Sequence, residues 1–398
     1  MGSPPPTRRT TLVTECLNRT ARLGKPGRIL SPRVDFVRTV GPLAGRLWRD
    51  EVEGEAWSLE VRRHLYWRLW SEATAALGAT LEPYHEDFWL IRTPETHTIV
   101  HNHHVMIDNA IREQMSLDKA LVQRLLGEAG IPVPAYVEVD ADAPVAGLEF
   151  MAAKRGPCVV KPASGTSGGD GVTLGVETAE QFHRARIWAR RWNWRLLVEE
   201  QACGDEYRFL FLDGRCLDVT RRRPPRLVGD GHSTVLELLT AENARRRASD
   251  GATAVGPITV KLDTLFALQR AGLHFRSVPA EGSTFAVSGR SNEGAAEDSE
   301  SVPLTEVCEA LLAQVRAAVE AVELRLAGVD VVTADLSRTL GDARGVVLEV
   351  NTTPGVHYHY LVSDPSRAAR VAIPLLAAVL GVDEPAGWRP HELLDASQ

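Results

Sequence analysis

Two oxygen-bearing side chains, Glu349 and Asn351, stand two residues apart in Leu348-Glu349-Val350-Asn351, inside the apolar stretch Val346–Asn351. Successive side chains of a strand alternate faces, so these two point the same way while Val346, Leu348 and Val350 point into the core. A carboxylate and an amide oxygen side by side suit a hard divalent cation, and magnesium takes such oxygens together with phosphate oxygens. Asp330, in the short apolar run Gly328-Val329-Asp330-Val331-Val332, offers a third donor. The pattern alone equally allows the plain polar face of a strand.

Upstream, an apolar strand Pro157–Lys161 delivers Lys161 and then the run Ser164–Gly171, with glycines at 165, 168, 169 and 171. Glycines let backbone N–H groups approach phosphate closely, and a lysine adds a point charge. No G-x-x-x-x-G-K-[ST] occurs, so this is not a Walker P-loop. The segment that follows, Val172–Val176, reads as a strand, whereas a Rossmann phosphate turn needs a helix. The same run holds Gly165-Thr166-Ser167-Gly168-Gly169, a G-x-S-x-G elbow with Ser167 as a hydrolase nucleophile. Asp330 and His357 or His359 would complete the order Ser, Asp, His. That elbow also requires a following helix, and it leaves Lys161 without a role. Further on, Glu199 ends one strand and Glu206 starts the next, with Arg208 on the face of Glu206. Carboxylates there can accept from adenine N6 or ribose hydroxyls and the guanidinium can reach phosphate; in isolation the segment also reads as a solvated acidic turn.

The elements that must carry these groups follow from periodicity. Leu65, Leu69, Ala73 and Leu77 at i+4 steps give a helix from Trp57 to Leu77, and Phe88–Ile91 and Thr98–His101 give two strands. Ser116–Ala129 reads as one helix with Asp118 in its first turn and Gly130 at its end, and Pro132 and Pro134 prevent continuation. Thr178-Ala179-Glu180-Gln181 is a capping box opening a helix to about Trp192. Arg195–Glu199 is a strand. Glu206–Leu212 and Arg215–Thr220, joined by Asp213-Gly214, form a hairpin. Thr305–Leu326 reads as a long amphipathic helix closed by Gly328. Asp364-Pro365 opens a last helix with a kink at Pro374. Asp250–Val255 and Ser288–Val302 read as loops.

The chain has 398 residues, which allows two to three domains. Apolar residues are 44 % and charged residues 24 %, ordinary for a soluble globular protein, and the mixture of strands and helices places it in the α/β or α+β class. A formal charge of −7 argues against a general nucleic-acid binder. No long uncharged apolar stretch suggests a membrane span or a secretory signal, and about the first ten residues are expected to be disordered. Five scattered cysteines without C-x-x-C argue against a disulfide framework and for a reducing cytoplasm.

Taken in order, these segments resemble the ATP-grasp ligases over about residues 116–380. The likeness rests on the Asp118-Lys119 helix start, Gly130-Ile131-Pro132-Val133-Pro134, the Val-Val-Lys-Pro loop at Val159–Pro162, Val-Glu-Glu followed by Gly-Asp-Glu-Tyr-Arg, and Glu349-Val350-Asn351. The ATP-grasp portions of cyanophycin synthetase and of bifunctional glutathione synthetases are similar in Val228-Gly229-Asp230-Gly231-His232-Ser233-Thr234-Val235, Ser277–Ala280, Ser291-Asn292 and Pro354–His359. The pattern of the first 115 residues reads as an N-terminal α/β domain (1–115), and the resemblance implies a lid or central subdomain (116–198) and a C-terminal catalytic subdomain (199–398). It implies that Lys119 and Lys161 hold ATP phosphates and that Gly165–Gly171, with Gly165, Ser167, Gly168 and Gly169, closes over the triphosphate. Glu199, with Glu200 beside it, matches the adenine side, and Glu206 the ribose-binding carboxylate. Asp330, Glu349 and Asn351 match a metal triad for two magnesium ions, with Mn2+ as a substitute. Arg208, Arg222, Asn292 and His359 fall where catalytic or substrate contacts are expected. The sequence departs from relatives after Asn292, where Glu293-Gly294-Ala295-Ala296 replaces a Ser-Thr-Gly-Gly type, and its length is expected to leave no room for the Mur-ligase-like domain of cyanophycin synthetase.

What the resemblance implies is an ADP-forming carbon–nitrogen ligase. A carboxylate takes the γ-phosphoryl of ATP, and an amine displaces phosphate to give an amide. The expected partners are small-molecule acids and amines, amino acids or short peptides in natural-product metabolism, with no nucleic acid and no membrane; a homo-oligomer is left open. The competing readings are the serine hydrolase at Ser167 and a nucleotide-binding module without catalysis. His97, His101, His103 and His104 are expected at strand ends or lining a pocket rather than on a metal.

Overall fold

The computed structural model describes residues 57–154, 156–166, 168–249, 251–386 and 388. Helix 57–76 comes first and buries Val61, Leu65, Leu69 and Ala73 at i+4 steps, with Tyr66 and Trp70 beside them. An antiparallel sheet follows, β1 (Thr80–His85), β2 (Phe88–Arg92) and β3 (His97–His101), in that order. β1 escaped the sequence reading because it is exposed almost throughout and shows no alternation.

The expected single helix over 116–129 is two helices, Ala110–Leu117 and Lys119–Glu128, meeting at Asp118. Asp118 is extended, and its carboxylate accepts from the Leu121 N–H as the second helix's N-cap. Its backbone bridges to Ser164, and the Lys119 N–H donates to the Ala163 carbonyl at 2.8 Å. The break therefore ties the start of Lys119–Glu128 to the glycine-rich run.

A four-stranded antiparallel sheet is built from β4 (Tyr136–Asp140), β5 (Cys158–Pro162), β6 (Thr173–Val176) and β7 (Arg195–Glu200), in the order β4-β7-β5-β6. Helices Val145–Ala153 and Ala179–Ala189 pack on it around Phe182. The capping box at Thr178 and Gln181 is present, and the helix ends at Ala189, three residues earlier than its expected end at Trp192.

The larger sheet has five strands. β8 (Asp205–Leu212) and β9 (Arg215–Arg222) form the expected hairpin, turning at Asp213 and Gly214, both with positive φ. An insert follows, with β10 (Arg226–Val228) paired to β11 (Thr284–Ala286), helices Val235–Ala248 and Leu262–Arg270 between them, and its own apolar core around Phe275 and Phe285. The chain then returns through β12 (Ser299–Val302) at the edge of the five-stranded sheet, within a segment expected to be a loop. Helix Glu309–Val322, β13 (Leu326–Thr333), β14 (Val346–Thr352) and helix Ala372–Leu380 complete it, with strand order β12-β9-β8-β13-β14.

Two expected boundaries move. Helix Glu309–Val322 starts after the Cys308 cap and ends at Glu323, which is left-handed at φ 58°; Leu326 already belongs to β13. Gly328 closes no helix but sits within β13, where a Cβ would come within 2.5 Å of Arg208 Nη1. The last helix begins at Ala372, not after Asp364, so Pro374 lies in its first turn and causes no kink.

One face of the five-stranded sheet is apolar. Phe209, Phe211, Val219, Val329, Val331, Val347 and Val350 pack on Glu309–Val322 and on Val122 and Leu126 of Lys119–Glu128. A second core joins helix 57–76 and β2–β3 to Leu210, Leu212, Leu217 and Leu326 and to Ala372–Leu380. Among the described residues no helix is long and apolar enough to cross a membrane.

Candidate active site

Register across the five-stranded sheet places the polar residues in one row. Thr220 on β9 faces Arg208 on β8, Arg208 faces Asp330 on β13, and Asp330 faces Glu349 on β14. Directly paired residues share a face, so the row lies opposite the apolar face just described. A bulge between Asp330 and Val331 shifts the register, so Val347, not the expected Leu348 or Val346, fills the core beside Val350. Leu348, Glu349 and Asn351 instead line a small cleft with Ser116 and Lys119.

Asp330 is the hub. Arg208 donates to both its oxygens, Nε to Oδ1 at 2.7 Å and Nη2 to Oδ2 at 2.8 Å. Arg222 Nη2 donates to Oδ1 at 2.5 Å, and Asn351 Nδ2 donates to Oδ2 at 3.1 Å. Gly328 makes room for the Arg208 guanidinium. Arg222 also pairs with Glu206, which accepts from Ser291 Oγ at 2.6 Å. Burial would lower the Arg222 pKa, but Asp330 and Glu206 outweigh it and hold the side chain charged. The Tyr358 ring lies 5.8 Å from the Arg208 guanidinium carbon and 5.1 Å from that of Arg222.

The second wall comes from the four-stranded sheet. Lys161 on β5 and Glu199 on β7 are diagonal neighbours, and Nζ lies 2.8 Å from Glu199 Oε1. Lys161 is also 4.0 Å from Glu349 Oε1, and Lys119 Nζ is 3.6 Å from the same oxygen while donating to the Thr166 carbonyl at 3.1 Å. Burial disfavours a charged Lys161, yet Glu199 and Glu349 more than compensate and raise its pKa. Burial would raise Glu349, yet Lys119, Lys161 and Arg208 pull it below the usual carboxylate range. Lys119, Lys161 and Glu349 thus meet between the two sheets.

The glycine run joins β5 to β6, with Gly165, Gly168, Gly169 and Gly171 all at positive φ. It is held from the insert: Asn292 Nδ2 donates to the Gly168 carbonyl at 2.5 Å, Arg290 Nη1 to the Gly169 carbonyl at 3.4 Å, and Lys261 pairs with Asp170 at 3.0 Å. Tyr358 OH donates to the Asn292 carbonyl at 3.4 Å. Because the run ends in a strand, the strand–turn–helix of a hydrolase elbow is absent; Ser167 itself lies outside the described residues.

The structure thus joins Lys119, Lys161, Glu199, Glu206, Arg208, Arg222, Asn292, Asp330, Glu349 and Asn351 through ion pairs, hydrogen bonds and strand register, and of these Lys119, Glu349 and Asn351 line the small cleft. Two expected members do not join it. Glu200 lies on the opposite face of β7 from Glu199, half-exposed and paired with Lys154 at 2.9 Å, as strand alternation requires. His359 is fully buried, its Nδ1 2.6 Å from Asp218 Oδ2 and 3.0 Å from Thr220 Oγ1, where it anchors the segment Val356–His359 to β9. His101 stacks on Phe88 and on His104 at the end of β3. Among the described residues no group of three or more His, Cys, Asp and Glu gathers as a metal site. Sequence reasoning missed Gln123, which donates to Glu199 Oε1 from one helical turn beyond Lys119, and the i, i+4 spacing was the available signal. It also missed Lys261, for which no local signal exists, and gave no role to Ser291 and Tyr358 although both fall in segments that carry the family resemblance.

No family model matches the chain. It is similar to cyanophycin synthetase of Trichormus variabilis, 30 % identical over 251 residues, covering 62 % of this chain and 27 % of that protein. It is equally similar to the bifunctional glutathione biosynthesis protein GshAB of Streptococcus mutans, 30 % identical over 259 residues, covering 63 % and 34 %. The chain thus spans about a third or less of the length of these relatives. Among solved structures, a bifunctional glutathione synthetase from Pasteurella multocida superposes with a TM-score of 0.51 at 21 % identity, over 94 % of this chain and 52 % of that one.

Proposed function

The chain has the ATP-grasp fold and is a relative of the ATP-grasp ligases, and from that premise we propose that it is an ADP-forming carboxylate–amine ligase. The observation that carries this reading is the meeting of Lys119, Lys161 and Glu349 between the glycine run and the Arg208–Asp330 row. Lysines on one side and arginines on the other, each paired to a carboxylate, offer donors that a polyanionic nucleotide brought against an anionic acid could take over. The Lys119 and Lys161 ammonium groups would bind phosphate oxygens. Arg208 and Arg222 would face the carboxylate that attacks the γ-phosphoryl group, giving an acyl phosphate and ADP. An amine then displaces inorganic phosphate and loses a proton, giving the amide. No enzyme nucleophile is required, because positioning and charge neutralisation supply the catalysis. The glycine run, closed from the insert, would keep water from the acyl phosphate.

Magnesium fits the donor set. Glu349 and Asn351 bring hard oxygens to the cleft beside Lys119, and few protein ligands are needed when phosphate oxygens complete the shell. Both oxygens of Asp330 are engaged by Arg208, Arg222 and Asn351, so its share in holding an ion would come at the expense of one of those bonds. When bound, the ion neutralises charge on the transferred phosphoryl group. Two ions, or Mn2+ in their place, are part of the proposal. The names of the relatives support amino acids or short peptides as acid and amine.

The test is a phosphate-release screen of amino acids, singly and in pairs, with mass spectrometry of products. ADP and phosphate that depend on both an acid and an amine are expected, and Glu349→Gln should lower kcat by roughly 10²–10³-fold. AMP formation, or full turnover in that variant, would sink the reading. Nucleotide binding with no ADP formed across the panel would favour a binding module instead.

A further inference from the structure

A second group of donors gathers around His357, next to Tyr358 in the chain. Helix 57–76 contributes Arg62 and Tyr66, the turn after β3 contributes His103, and the segment Val356–His359 contributes His357. Tyr66 OH lies 2.7 Å from His357 Nδ1, and its ring meets those of His103 at 5.6 Å and His357 at 5.9 Å. The His357 ring lies 4.1 Å from Tyr358. Tyr66 is fully buried and burial holds its phenol protonated. It therefore donates to Nδ1, which leaves the His357 proton on Nε2. That Nε2 is buried and bonded to nothing, and so is Arg62 Nε.

Burial first, and then Arg62 and the neighbouring histidines, hold His357 and His103 below the usual imidazole range. Among the described residues Arg62 has no ion-pair partner within 4.0 Å. Buried donors without acceptors are costly and call for a partner. Arg62 and His103 are half-exposed while Tyr66 and His357 are buried, so the group has a solvent side and a floor.

We propose that Arg62, His103 and His357 form an anion subsite for a second, non-reacting carboxylate of the acid substrate. One permanent charge with two neutral imidazole donors matches a monoanion rather than a phosphate. This rests on the ligase reading of the neighbouring cleft, and it narrows the acid to a dicarboxylate.

The test compares binding of succinate and glutarate with that of their monoamides, succinamate and glutaramate, to the full chain by titration calorimetry without nucleotide. At least tenfold tighter binding of a diacid than of its monoamide is expected. Arg62→Gln should bring that ratio to within about twofold while leaving the monoamide unchanged, and Arg62→Lys should restore part of it. Equal binding of each pair, no binding of either, or an undiminished ratio in Arg62→Gln overturns the proposal. The same diacids are then assayed for ATP-dependent phosphate release with an amine panel. An Arg62-dependent preference in binding without ADP formation would uphold the subsite and refute the ligase reading, so the two fail separately.

Discussion

Arg208 holds Asp330 through two parallel hydrogen bonds that only a guanidinium can make, at 2.7 and 2.8 Å, while buried under Tyr358. Arg208→Lys is therefore expected to cost about 2–3 kcal/mol in urea unfolding, short of the ~3–5 kcal/mol for breaking a buried pair outright because Arg222 still answers Asp330. His357 and His103 give a pH signature. Burial first, then neighbouring positive charge, lowers both, His103 to about 3, against 6.5 for a free imidazole. Between those values the unfolded chain binds more protons, so stability is full above pH 6.5 and declines as pH falls towards about 3. Thermal melts should show that slope, and His357→Gln should flatten it; an unchanged slope would show that His357 does not contribute. Glu349, Asn351 and Lys161 were legible in the sequence because strand alternation and a glycine run are local signals. Tyr358 and Tyr66 were not, because what they touch lies 291 positions away or comes from another strand pair, and Gly328 was misread because a close approach by Arg208 leaves no mark beside it.

Among the elements, one misjudged boundary was the end of helix Glu309–Val322. The apolar period runs on through Leu326, so periodicity extends the helix, whereas Glu323 in the left-handed region ends it and starts the turn into β13. Glu323→Gly should raise stability by about 0.5–1 kcal/mol, since the exposed pair with Arg112 is worth little and the strained φ is relieved. Chemical denaturation reads this directly, and a loss of stability would mean the ion pair matters more. The break at Asp118 was hidden for a similar reason, since both halves carry one apolar stripe and only contacts with Ala163 and Ser164 separate them. Hairpin β8–β9 and the capping box at Thr178 were read correctly because turn and cap chemistry is written in adjacent residues.

At the scale of the molecule, the insert between β9 and β12 reaches across the cleft to the glycine run through Lys261, Arg290 and Asn292. Lys261→Gln should raise KM for ATP about 2- to 5-fold with kcat little changed, as befits a half-exposed pair. The same variant should expose the run to limited proteolysis; equal cleavage rates with and without the lysine would argue that the contact is incidental. The insert's presence was not legible, since its helices follow ordinary patterns and only its contacts give it a purpose.

The core shared by helix 57–76, β2–β3 and Ala372–Leu380 has a practical corollary for anyone dissecting the protein. A fragment begun after Asp108 would leave the Leu210, Leu212, Leu217 and Leu326 side chains uncovered and strip Tyr66 from His357. Such a truncation should emerge as insoluble aggregate rather than as a smaller folded unit. The half that carries Lys119, Lys161 and Glu349 is thus no portable cassette: its two flanking helices cover its apolar side chains.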